Sequence, residues 1–131
     1  MLNFLAGLGK RHTVPRDFLE GAKIEKLASG FRFVEGPIWI AEENCLLFSD
    51  IPGNRIYKLH ANRRVEIFRE PSDNANGLTR DAQNRLLICQ HGARRVAALS
   101  RDGEMETVAD CYEGRKLNSP NDIVVKSDGA I

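Results

Sequence analysis

The chain has 131 residues, 42% hydrophobic and 28% charged, with 19 Lys plus Arg against 18 Asp plus Glu. That length accommodates one small domain with a modest core. A formal net charge of +1 leaves no concentrated basic face, which excludes nucleic acid and an anionic membrane surface as expected partners.

Residues 1–22 read as a lead-in. Met1–Gly9 is apolar and is followed by Lys10 and Arg11, the reverse of the order in a secretory signal. No apolar run approaches the roughly 18 residues of a spanning helix, so a cytoplasmic location is expected. Arg16–Glu20 is expected to form a helical turn behind Pro15.

Residues 23–131 carry a different pattern. Short runs of Val, Ile, Leu, Phe and Tyr alternate with Gly, Asn, Asp and Pro clusters, which predicts an all-β fold. Arg55–Leu59 and Arg64–Phe68 form one hairpin through Ala61-Asn62. Arg95–Leu99 and Met105–Ala109 form another through Arg101-Asp102-Gly103, with Asp-Gly the stronger turn signal. Cys45, Cys89 and Cys111 are odd in number and widely spaced, which argues against a disulfide framework and a cysteine-held zinc site. Cys45 and Cys89 read as small core residues, and a reducing compartment suits them.

The chain repeats. Glu35-Gly36-Pro37-Ile38-Trp39 leads through a turn into Cys45–Asp50, and Asn76-Gly77-Leu78-Thr79 leads through a turn into Arg85–Cys89. A third copy starts at Asn121-Asp122-Ile123 and reaches Gly129. The turn residues Asn44 and Asn84 stand 40 positions apart, and Gly129 follows 45 later. Units of about 40–50 residues with four short strands each are the signature of β-propeller blades. The first strand of each blade then lines a central channel. Counting back from the turns aligns Trp39 with Thr79 and Asn76 with Asn121, with Glu35 one place early. Glu35, Asn76 and Asn121 are expected near one mouth of that channel.

A carboxylate and carboxamides converging there would make a hard-oxygen site. Calcium suits it best, and magnesium, manganese and zinc are alternatives. Other residues carry plainer readings: His91 as a loop or pocket-wall residue, His12 and His60 as surface residues, and Trp39 as core. Asp50 and Asp122 read as turn caps, and Arg63-Arg64 and Arg94-Arg95 as solvated charges.

Three ordered blocks carry a resemblance. Glu35–Trp39, with Phe48-Ser49-Asp50-Ile51 and Asn54-Arg55-Ile56, closely resembles the opening of the SMP-30/gluconolactonase family. Asn74–Asp81, with Leu86–Gly92 and Arg94-Arg95-Val96, resembles its second block. Leu117–Val125, with Ser127-Asp128-Gly129, resembles its third. The resemblance covers about residues 30–131 and implies a six-bladed β-propeller, of which this chain holds the first two blades and the start of a third. It also implies a divalent cation in the channel and hydrolysis of a sugar lactone to an aldonic acid. It makes Glu35 a metal ligand and Asn121 a contact to metal or substrate. Asn76 and His91 are further candidates for substrate binding. The family's catalytic Asp and its later Asn ligand fall beyond Ile131, so the catalytic group is unassigned. The arginine that contacts substrate in the animal branch is replaced by Ser119, which implies a different substrate preference.

With two blades and part of a third, the chain alone is expected to be inactive. Two alternatives stand beside the lactonase. One is a related propeller hydrolase for another lactone or a phosphotriester-like substrate. The other is a non-catalytic β-repeat module that self-associates through unpaired propeller edges.

Overall fold

A computed structural model describes residues 20–131. The expected helical turn at 16–20 and most of the lead-in lie outside the described residues. Four strands, β1 (Val34–Ile40), β2 (Cys45–Asp50), β3 (Arg55–His60) and β4 (Val65–Arg69), form an antiparallel sheet in sequence order. A second sheet repeats the arrangement with β5 (Ala75–Arg80), β6 (Leu86–Gln90), β7 (Arg95–Leu99) and β8 (Met105–Ala109). Both expected hairpins are present as β3–β4 and β7–β8. Among the described residues no helix is long and apolar enough to cross a membrane.

Alternation along the strands stacks one sheet on the other. Ile40, Cys45, Leu47 and Ile56 of the first sheet pack against Ala75, Leu78, Leu86 and Ile88 of the second. The next residues along β6, Leu87 and Cys89, point the opposite way. With Val96 and Ala98 they pack on Ile123 and Val125 of the third copy. The chain is thus two blades and the start of a third in a β-propeller. Asn121–Lys126 packs on the second sheet through Ile123 and Val125 and pairs with no strand among the described residues. Its turn still closes, with the Lys126 amide donating to the Ala130 carbonyl at 2.8 Å and that of Gly129 to Lys126 at 2.9 Å.

The repeat steps have structural causes. Asn44, Asn84 and Gly129 all adopt the left-handed conformation, at φ 48°, 63° and 89°, so they are equivalent turn residues. The longer second step comes from the connection between β8 and Asn121. There a two-stranded hairpin, β9 (Cys111–Tyr112) and β10 (Arg115–Lys116), is inserted.

The ladders correct the alignment counted back from the turns. Ile38 pairs with Leu47, and Thr79 pairs with Leu87, so Ile38 rather than Trp39 matches Thr79. Glu35 therefore shares the position of Asn76 and is not one place early. The first blade's turn is one residue longer, with a 3-10 turn at Ala41–Glu43, which displaced the count. Each first strand also carries a bulge just after its opening, between Glu35 and Ile38 and between Ala75 and Leu78.

Trp39 is 54% exposed, contrary to its reading as core. Ile38 and Ile40 take the face turned to the second blade, which sends Trp39 to the other face beside Leu27, Leu46 and Leu59. Part of that outer face is covered by Phe31, whose ring meets those of Phe48 and Tyr57 edge-on, both with centroids 5.0 Å away.

Candidate functional site

Close backbone approaches join each opening to the next. Gly36 has φ +60°, and a Cβ there would lie 2.2 Å from the Asn76 carbonyl oxygen. Only glycine allows that approach. At Gly77 a Cβ would lie 2.5 Å from Asp122 Oδ1 and 2.9 Å from the Asn121 carbonyl oxygen. Each glycine thus makes room for the opening of the next blade. Hydrogen bonds fix the same contacts. Ser49 Oγ donates to the Asn76 carbonyl at 2.7 Å, and the Gly77 amide donates to the Asn121 carbonyl at 2.8 Å.

The side chains differ in setting. Asn76 is 2% exposed, and its Nδ2 donates to Asn121 Oδ1 at 2.7 Å. Its own Oδ1 is buried without a hydrogen-bond partner among the described residues. Glu35 is half-buried and Asn121 exposed. Among the described residues no three His, Cys, Asp or Glu side chains converge as a metal site. The candidate donors are one carboxylate and two carboxamides. Their oxygens suit a hard cation in kind, but they make up only part of the roughly six to eight that calcium takes.

His91 is exposed in the turn after β6. Ala75 pairs with Gln90, so His91 stands at the same end of the second sheet as Asn76, but no hydrogen bond joins the two. Asp50 behaves as a cap, with its carboxylate accepting from the backbone amides of Arg32, Phe33 and Gly53. Asp122 Oδ1 accepts from the Ile123 amide at 2.8 Å. Burial pushes the Cys89 thiol up to about 11, which keeps it protonated and inert at neutral pH.

Two residues that hold the openings in place are not evident from composition. Asn54 and Arg94, 40 positions apart, both sit in the left-handed region at φ 55° and 57°. Asn54 Oδ1 accepts from the amides of Ser72 and Asn74, in the connection leading to Asn76. Arg94 is more than a solvated charge. It donates through Nε to the Leu117 carbonyl at 2.6 Å and through a terminal nitrogen to that of Lys116, in the connection leading to Asn121. Their shared repeat position is the signal that could have singled them out.

Comparison with known proteins gives a consistent result. The model of the SMP-30/Gluconolactonase/LRE-like region matches residues 33–131. A gluconolactonase of Zymomonas mobilis subsp. mobilis is 31% identical over 122 residues, covering 82% of this chain and 34% of that protein. The solved structure of a gluconolactonase from Xanthomonas campestris superposes with a TM-score of 0.74 at 34% identity, over 79% of this chain and 35% of that one. A structural-genomics structure of a candidate gluconolactonase gives a TM-score of 0.80 at 36% identity, over 87% of this chain and 41% of that one. The chain therefore spans about a third of the length of its curated relative. With the three blocks, the paired blades and these similarities in agreement, the chain belongs to the SMP-30/gluconolactonase/LRE-like family.

Proposed function

We propose that this chain forms the first part of a metal-dependent sugar-lactone hydrolase of gluconolactonase type. The observation that carries the reading is the side-chain hydrogen bond between Asn76 and Asn121, which joins the openings of consecutive blades in a family whose relatives include gluconolactonases. Glu35 would hold a divalent cation through its carboxylate, with Asn121 facing the same site. Calcium fits these oxygens best, with magnesium, manganese and zinc as alternatives. The chemistry such a cation supplies is polarisation of a lactone carbonyl. Asn76 and Asn121 orient the oxygens of the sugar, and His91 borders the mouth. Ser119, short and uncharged, leaves room for a substrate that an arginine would exclude or bind differently.

The chain by itself would be inactive, because the three openings supply too few donors for a closed site. Calorimetric titration with calcium should show weak binding that falls at least about tenfold in Glu35→Gln. Unchanged affinity removes Glu35 from the site. Residues 33–131, fused to the remaining two-thirds of the Zymomonas mobilis gluconolactonase, should give cation-dependent hydrolysis of glucono-1,5-lactone. A folded but inactive fusion would overturn the lactonase reading. Hydrolysis by the 131-residue monomer would overturn the expected inactivity.

A self-associating, non-catalytic module is a second reading. It is favoured by the Asn121–Lys126 segment, which pairs with no strand among the described residues and in which Val124 is largely exposed. Sedimentation of the pure chain as a monomer at micromolar concentration would argue against it.

A further inference from the structure

We propose that the far end of the first blade junction holds a second ligand site for a medium-chain carboxylic acid, with the chain between the two sheets and the carboxylate on Arg101. The site stands apart from the openings and does not depend on the lactonase reading. β1 and β5 run from the openings to Ile40 and Arg80, which pair with Cys45 and Leu86. At that far end the sheets enclose a cavity of about 360 Å³, at the small end of the range for ligand pockets. Ile40, Leu47, Leu86 and Leu99 give it an apolar floor, with Phe68 at one side. The cavity has a cause in the sequence. Leu47 and Leu87 are equivalent through their ladder partners Ile38 and Thr79, so Cys45 corresponds to Arg85. The short Cys45, fully buried, lines the cavity where the second blade carries a long side chain.

The rim decides the head group. Its charged side chains are Glu42, Glu43, Arg80 and Arg101. Arg80 pairs with Glu42 at 2.6 Å, and Glu43 pairs with Lys58. Arg101, in the turn between β7 and β8, is exposed and has no ion pair or hydrogen bond among the described residues. Its charge is felt at the cavity. A backbone hydrogen bond, the Arg80 guanidinium and, more weakly, the charge of Arg101 hold the Glu42 carboxyl below its usual range. The two acids are thus matched by Arg80 and Lys58, and the charge left over is positive. A carboxylate complements it and can accept two hydrogen bonds from one guanidinium. A cationic amphiphile would be repelled by Arg101. A sugar does not suit the floor, because its hydroxyls would lose their hydrogen bonds against Leu47 and Leu86.

Octanoate, octan-1-ol and octylamine share a chain and differ in the head group. Each is titrated into the 131-residue chain carrying isotopically labelled methyl groups. Octanoate should shift the Ile40, Leu47, Leu86 and Leu99 methyl signals together. It should bind at least about tenfold more tightly than octanol, and octylamine should bind most weakly. Arg101→Glu, an exposed change that leaves the floor intact, should lower octanoate affinity at least about tenfold and leave octanol affinity unchanged. Cys45→Leu, which fills the cavity, should abolish the binding of both; if that variant does not fold, Arg101→Glu decides alone. Octanol binding as tight as octanoate overturns the proposal, as does an Arg101→Glu chain that binds octanoate like the parent. So do shifts that spread over the surface or gather at Trp39, and so does the absence of saturable binding at millimolar octanoate.

Discussion

The two blade junctions use one plan with different means. Between the first and second blades, a short connection carries Ser72, Asp73 and Asn74, and Asn54 accepts hydrogen bonds from its amides. Between the second blade and the third copy, the connection is longer and holds the β9–β10 hairpin, and Arg94 donates to its carbonyls. The first junction is sealed by two complete sheets. The second rests on one sheet and on Ile123 and Val125. A propeller junction can therefore reverse the polarity of its clamp and absorb a hairpin, provided that the glycine after each opening lets the next backbone approach.

The difference can be broken from either side. Ile88 and Leu87 are adjacent on β6, both fully buried, one in each junction. Ile88→Ala should cost about 4 kcal/mol in urea unfolding and Leu87→Ala only about 2 kcal/mol, because the thinner second junction can collapse around the gap. Equal costs would mean that the third copy packs as tightly as a whole blade. Gly36→Ala should follow at about 3 kcal/mol, since it combines a positive φ with a backbone clash. Gly77→Ala should cost about 1 kcal/mol, because the exposed Asp122 segment can yield.

The clamps come next. Asn54→Ala should lower global stability by about 2 kcal/mol, since it strands the part-buried Asn74 amide, while the Ser72 amide keeps the Asn54 backbone carbonyl. Arg94→Ala should cost about 1 kcal/mol or less and act locally, with faster amide exchange in Cys111–Leu117. A larger global loss for Arg94→Ala would reverse the ranking of the junctions. The smallest effect is at the β5–β6 turn. Burial raises the Asp81 carboxyl, but hydrogen bonds from the Arg85 backbone and guanidinium outweigh it and hold the group below its usual value. Its contribution is full at neutral pH and should fade as the pH drops through that lowered value. Asp81→Asn should flatten this part of the acid stability profile.

Much of this was legible in the residues. Short apolar runs with turn residues between them marked the strands, and Asn44, Asn84 and Gly129 marked the repeat. Cys45 and Cys89 were recognisable as core, and Asp50 as a cap. Trp39 was misread because an alternating strand shows which residues share a face but not which face meets a neighbour. The register of Glu35 was misread because a one-residue difference in a turn is invisible to counting. Arg94 read as solvated because a guanidinium bound to distant carbonyls leaves no local pattern.

The sequence by itself determined the strands, the blade period and the family, because these follow from alternation, turn chemistry and ordered motifs within some tens of residues. Only the tertiary structure decided that Glu35 and Asn76 share a position, that Gly36 and Gly77 receive the next blade, and that Asn76 bonds to Asn121. Those facts depend on how separate sheets stack. Stacking is set by close packing between residues some 40 positions apart, where a shift of one residue exchanges buried and exposed faces.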